Sequence, residues 1–200
     1  AAASSGDGTL PFGDHDFKRF SGHFQLGDGD RQSNLIIGYQ DKFFGWPGAY
    51  TGFASLPETD HIKQGLVVAD HRSSNSRGWW QLSAAYRWLD DDYDFDRRTV
   101  DDGSPGSFEH ETRSFSLGVN GARLVGVTDW TYAVMLAADR LVRSTDLTNG
   151  HFNSRSYLSM SLAPAWHWTL DSGAELGLRA GLRTDISNRD EDALMPLLNI

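Results

Sequence analysis

The chain has no cysteine, which excludes disulfides and cysteine-ligated metal centres within it. It has no run of about 18 or more apolar residues, which excludes a transmembrane helix. Positive charge is in deficit: 18 basic against 27 acidic residues leave a net charge of −9, which argues against nucleic acid as a partner. The histidines His15, His23, His61, His71, His110, His151 and His167 are scattered. None has HExxH or paired-ligand spacing, so no zinc site is expected. There is no GxSxG elbow and no other catalytic constellation, so no enzyme activity is expected. No repeat of fixed period is present, which argues against a propeller or a solenoid. The first residues, AAASSGDGTLPFGDHD, contain neither a basic n-region nor an apolar h-region, so they do not read as a signal peptide.

What is present is alternation. In WWQLSAAYRWLDDD (79–92), Trp80, Leu82, Ala84, Tyr86 and Trp88 share one face. Gln81, Ser83, Ala85 and Arg87 share the other. Strict alternation marks a β-strand, because successive side chains point to opposite sides of the sheet. Similar patterns run through 16–26, 33–43, 61–73, 111–123, 130–144, 154–170 and 175–187, and another begins near Ala193. The expected apolar faces include Leu35, Ile37 and Tyr39; Ile62, Leu66 and Val68, with Gln64 breaking the pattern; and Phe115, Leu117 and Val119. They continue in Tyr132, Val134, Leu136 and Ala138; in Leu158, Met160, Leu162, Trp166 and Trp168; and in Leu176, Leu178, Ala180 and Leu182. Pro164 interrupts one of them, and a bulge is expected there. Residues 1–15 read as a polar loop.

Mean hydropathy is only −0.45. That value is compatible with a membrane barrel, since only alternate strand residues face lipid and the loops are polar. Connections alternate between short and long. GDGDRQ (27–32) and SNSRG (74–78) are short, as are the turns near 126–129 and 171–174. The stretches 44–60, 94–110 and 145–153 are longer. Outer-membrane barrels have this asymmetry, with short periplasmic turns and long extracellular loops. Trp79, Trp80, Trp130, Trp166 and Trp168 all fall beside short turns and read as a periplasm-side belt. From Trp80 to Trp88 is roughly 18–20 Å of height for a tilted strand. The reading is an all-β, antiparallel, up-and-down transmembrane β-barrel, here a partial barrel of about eight to nine meander strands. A soluble β-sandwich would have to hide Gln81, Arg87, Arg179 and Arg183 at inward positions. The chain stops at ALMPLLNI within what reads as a strand, which suggests a piece of a longer protein.

GYQDKFFGWPGAYTGF (38–53), followed by LPETDHIKQGLVVADHR (56–72), resembles TonB-dependent outer-membrane receptors. The likeness lies in a strand ending in GYQDK, an FG-x₃-AYT loop, and an acidic PET lead into a strand ending in HR. It extends more weakly over residues 1–200, which would form part of one barrel domain. The resemblance implies a 22-stranded barrel in the outer membrane of a bacterial cell, filled by an N-terminal plug. It also implies a TonB box that receives energy from the inner membrane. Plug and TonB box would lie outside this chain. It further implies import of a scarce small molecule such as a ferric siderophore or cobalamin. TonB and outer-membrane lipid or lipopolysaccharide would be the partners. A passive porin-type channel is the alternative, with Arg87, Arg113, Arg179 and Arg183 lining its lumen.

Two groups of candidate site residues follow. Trp46, Tyr50 and Phe53 lie on the first long loop, where aromatic rings stack on a flat ligand such as a corrin or a catecholate. The competing expectation is that they pack the loop onto the barrel rim. Asp91, Asp92 and Asp94, within the run Asp90–Asp96, offer hard oxygen ligands for Ca²⁺. They lack EF-hand spacing, and Arg97 and Arg98 stand beside them to pair with the carboxylates. No other cofactor is expected.

Overall fold

The structure is a computed structural model, and it describes residues 1–52, 56–99, 106–145 and 153–199. Its strands are β1 (Ala2–Gly6), β2 (His15–Asp28), β3 (Arg31–Gly45), β4 (Thr59–Asn75) and β5 (Gly78–Asp94). They continue with β6 (Ser107–Val125), β7 (Thr128–Ser144), β8 (Ser154–Thr169), β9 (Glu175–Ser187) and β10 (Ala193–Asn199). All ten lie in one sheet in sequence order, each antiparallel to the next. The sheet does not close: β1 and β10 are its free edges. This is the all-β, up-and-down meander the alternation predicts, in the form of a partial barrel. β1 is an addition. Its small residues, AASSG, carry no hydrophobic period and form a strand only by pairing with His15–Arg19 of β2.

Register fixes the faces, because directly paired residues point to the same side of a sheet. The pairs Tyr39↔Gly65, Gly65↔Trp88, Tyr86↔Phe115, Leu117↔Leu136, Leu136↔Leu158 and Leu162↔Leu182 carry one apolar face across the molecule. It is exposed: Leu162 is 50% accessible and Phe115 45%. Among the described residues the only buried hydrophobic side chains are Ala163 and Ala165. A soluble sandwich would bury its large side chains between two sheets; among the described residues there is no second layer. The opposite face is polar. Asn34 donates to Asp70 (3.0 Å), Gln40 to Gln64 (3.3 Å), Ser159 to Asp185 (2.7 Å) and Arg183 to Asp185 (3.0 Å).

Four expectations need correction. On β4 the apolar face holds Val67 and Ala69, while Ile62, Leu66 and Val68 point to the polar side. Their partners decide it: Leu66 pairs with Gly38 and Arg87, Val67 with Ile37 and Tyr86. Gln64 therefore does not break the pattern; it belongs to the polar face with Gln40. Trp79 also lies on the polar side, under the guanidinium of Arg72 at 4.7 Å, so it is not part of the apolar-face belt with Trp80. Arg113 lies on the apolar side, opposite Trp88 and Arg140, and pairs with Glu111 rather than lining the lumen. Pro164 produces no bulge. β8–β9 pairing omits Ala163 and Pro164 but keeps the same register on either side. The register shift occurs instead between Glu111 and Thr112, where β6 meets β7.

β5 is 17 residues long, roughly 55 Å at about 3.3 Å per residue. The chemistry changes along one face. After Trp88 the apolar side of β5 turns to Asp90, Asp92 and Asp94, beside the His61–Asp41 hydrogen bond (2.7 Å) and the Arg143–Glu109 ion pair (2.9 Å).

Two buried glycines on the apolar face sit beneath aromatic rings of the neighbouring strand. Gly65 lies under Trp88, and Gly121 under Tyr132. A Cβ on Gly65 would stand 2.2 Å from the Trp88 Nε1. Gly65→Ala is expected to dislodge the indole and cost about 1–3 kcal/mol. Gly38→Ala, whose Cβ would meet nothing closer than 4.0 Å, should change stability by less than about 0.5 kcal/mol. Denaturant unfolding followed by tryptophan emission compares the two.

Candidate functional site

The long connections 7–14, 46–58, 95–106 and 145–153 all leave the sheet at one rim. On the polar face just below that rim, the paired row Phe44 (β3), Asp60 (β4), Tyr93 (β5) and Phe108 (β6) carries three aromatics, and Phe17 (β2), opposite Lys42, stands two residues from it. Loop residues extend them into a continuous row. Phe17 meets Phe44 at 6.4 Å between ring centroids, Phe44 meets Trp46 at 5.4 Å, and Trp46 meets Tyr50 at 6.0 Å. Tyr50 meets Tyr93 at 5.3 Å, Tyr93 meets Phe95 at 5.1 Å, and Phe95 meets Phe108 at 5.4 Å. All six contacts are edge-to-face, the arrangement favoured by the ring quadrupole. Trp46 is 46% exposed and Tyr50 68%.

Trp46 and Tyr50 pack against the rim and keep exposed surface. Phe53 lies outside the described residues.

The loop that carries them is held from beneath by Glu58, which is fully buried. Its carboxylate accepts hydrogen bonds from the Tyr50 amide (3.0 Å), the Thr51 amide (2.7 Å), the Thr51 hydroxyl and the Tyr93 hydroxyl. Burial alone would raise the carboxyl pKa. The hydrogen bonds from Thr51, Tyr93 and the Tyr50 amide outweigh that and hold it below the usual glutamate value of 4.5. The backbone adds Trp46 N–H to Glu58 C=O (2.7 Å) and Gly48 N–H to Leu56 C=O (3.0 Å).

Arg97 ties three loops together. It makes a two-pronged ion pair with Asp14 of the β1–β2 loop, and this guanidinium holds the Asp14 carboxyl below its ordinary range. Its amide donates to Pro57 C=O (3.1 Å), and its guanidinium stacks over Phe43 at 5.4 Å. Asp14 C=O in turn accepts from the Gly45 amide at 2.7 Å. Gly45 has no room for a side chain, since a Cβ would fall 1.7 Å from Phe12 C=O.

The acidic run does not converge. β5 alternation puts Asp91 on the polar face and Asp92 and Asp94 on the other. Among the described residues no three His, Cys, Asp or Glu side chains come together to hold a metal ion. Asp101 and Asp102 lie outside the described residues. Arg97 and Arg98 pair with Asp14 and Asp96.

A second feature of the polar face is a groove of about 530 Å³ lined by Arg19, Ser21, Gly38, Gln40, Gln64 and Leu66. It lies beside the free β1 edge. Arg87 reaches into the same region, donating to Gln64 at 3.4 Å.

Neither a family model nor a curated protein sequence matches the chain. Among solved structures, BauA, the ferric preacinetobactin receptor of Acinetobacter baumannii, aligns over 98% of this chain at 10% identity and a TM-score of 0.46. The chain spans 38% of that structure's length. The functional reading therefore rests on the chain's own residues.

The lowered Glu58 pKa has a pH consequence. A depressed carboxyl contributes stability above its unfolded value of 4.5 and loses it as pH falls through the folded value. Trp46 accessibility to acrylamide should be constant from about pH 7 to pH 5. It should rise only on further acidification. In Glu58→Gln the step on acidification should be absent.

Proposed function

We propose that the chain is part of the wall of an outer-membrane receptor that imports a scarce small molecule. The observation that carries this reading is the reversal of an ordinary core. Large apolar side chains cover one exposed face, polar and charged groups fill the other, and among the described residues no second layer covers either. Lipid is the medium that suits the first face, and an aqueous or protein-filled lumen suits the second. The ladders run from β1 to β10, and the two sheet edges present backbone groups to which further strands of a complete barrel would add.

In this reading the short turns face the periplasm and the long loops face outward. The aromatic row from Phe17 to Phe108 then stands where a ligand arrives. The exposed aromatic residues Trp46 and Tyr50 offer surface on which a planar, conjugated ligand stacks, so a ferric siderophore or cobalamin is the class of cargo. Energy would come through TonB, by way of plug and TonB-box segments elsewhere in the full-length protein. Lipopolysaccharide would meet the charged outer girdle around His61, Asp41, Glu109 and Arg143. The chain performs no catalysis in this account.

Two experiments test it. In the full-length protein, Leu117→Arg, at mid-height on the apolar face, should cost about 2–4 kcal/mol, while Ser116→Arg on the lumen side should be nearly neutral. Refolding into lipid from urea measures both, and equal costs would contradict the assignment of faces. Uptake of radiolabelled ferric siderophore or cobalamin should saturate and should stop when TonB is removed. Uptake that neither saturates nor needs TonB would instead identify a passive porin-type channel.

A further inference from the structure

The arm 46–52 combines two properties that seldom coincide in a surface loop. Its rings are open to solvent, yet its backbone is fastened from within. Tyr50 is 68% exposed as a residue, while its amide is bound at 3.0 Å by a carboxylate that has no exposure at all. A buried carboxylate is costly unless its oxygens are satisfied. Glu58 is satisfied by this arm and by Tyr93 of β5. Displacing the arm would strip three of its four donors and leave the charge buried and underbonded. A loop that folds over its ligand on contact would not be anchored in this way, since its polar groups would have to be free to exchange partners with water. Tyr93 adds rigidity, because the ring that donates to Glu58 also supports the Tyr50 ring edge-to-face at 5.3 Å.

We propose that Glu58 is a positioning residue that holds the 46–52 arm as a preformed aromatic platform. Trp46 and Tyr50 meet the ligand already in place, with no refolding of this arm. The proposal rests on the receptor reading for what is captured, but the platform itself is measurable without any ligand.

Amide hydrogen exchange on the full-length protein in detergent micelles reads the anchor directly. In the wild type, the Tyr50 and Thr51 amides should be protected at least ~10-fold over their intrinsic rates, although they lie in a solvent-facing loop. Glu58→Ala should abolish protection at both and leave the β4 and β5 amides below the rim unchanged. Glu58→Gln keeps one carbonyl oxygen, which in the place of Oε1 accepts from both the Tyr50 amide (3.2 Å) and the Thr51 amide (2.7 Å), and should restore measurable protection at both, a rescue that general destabilisation would not produce. Tyr93→Phe leaves both amide bonds possible and should weaken protection without removing it. Unprotected Tyr50 and Thr51 amides in the wild type, or equal protection in Glu58→Ala, would overturn the proposal.

Binding of two probes, a ferric tris-catecholate complex and cyanocobalamin, followed by Trp46 fluorescence, tests the capture step. For a probe that binds, Glu58→Ala should weaken affinity ~10-fold or more as the competent fraction falls. The wild-type arm should gain no further protection on binding. New protection across 46–52 on binding would show folding on contact and would contradict the platform. If neither probe binds the wild type while the exchange pattern holds, the choice of cargo fails and the positioning role of Glu58 stands.

Discussion

Hydrogen bonding between adjacent strands supplies most of the backbone pairing among the described residues, where nothing is layered on either side of the sheet. A single-layer sheet cannot be stabilised by a shared hydrophobic core, and among the described residues its strands bury only two hydrophobic side chains, both alanines. Its large apolar groups must therefore find an apolar medium outside the molecule. Leu82, Phe115, Leu136, Leu162 and Leu182 carry accessible surface that water would penalise at about 25 cal/mol per Å². In the membrane setting proposed above, lipid would remove that penalty. That medium also forbids unpaired backbone groups, which suits a sheet whose strands follow one another in antiparallel order, with interruptions among the described residues at Pro164 and at the Glu111–Thr112 shift.

From this constraint the division of labour between the two rims follows. In that setting strands must be at least as long as the band they cross, and the 17 residues of β5 would run well beyond it at the long-loop end. Such an overhang would be free of the demand for apolar side chains. It carries the ion pairs on the outer face and the aromatic row on the inner one. Glu58, Arg97 and Asp14 belong to this region, and they knit loops that would otherwise be independent. Their effect is to convert a flexible rim into a shaped surface. The aromatic rings are then displayed by a framework whose stability comes from carboxylate and guanidinium hydrogen bonds rather than from a core.

Much of the architecture was legible because alternation is a property of single strands. The faces of 79–92, 111–123, 154–170 and 175–187 are those the pattern predicts. It failed where local chemistry was ambiguous. On β4 the aliphatic residues Leu66, Val67 and Val68 are consecutive, so alternation alone offers either face, and only pairing with Ile37 and Tyr86 selects Val67. β1 has no apolar period to detect. Trp79 and Trp80 are adjacent and must point to opposite sides, so a belt defined by tryptophan position along the chain could include only one. At the site, the loop aromatics Trp46 and Tyr50 were visible as residue types. Phe44, Tyr93, Phe95 and Phe108 were not, since register and loop packing bring them together from separate strands. Glu58 was visible only as the acid of the PET segment; its burial depends on three donors from the preceding loop and one from β5.

Trp79 and Trp80 report which face of the sheet meets lipid. Neighbours in sequence, they lie at the same height but on opposite faces of β5. Single-tryptophan variants of the full-length protein retaining one or the other would be reconstituted in vesicles containing brominated phospholipid, which quenches only on contact. Trp80 should be strongly quenched by the brominated chains and Trp79 should not. Quenching of Trp79 rather than Trp80, or of neither, would contradict a lipid-facing apolar surface and with it the account of the chain as a membrane barrel wall.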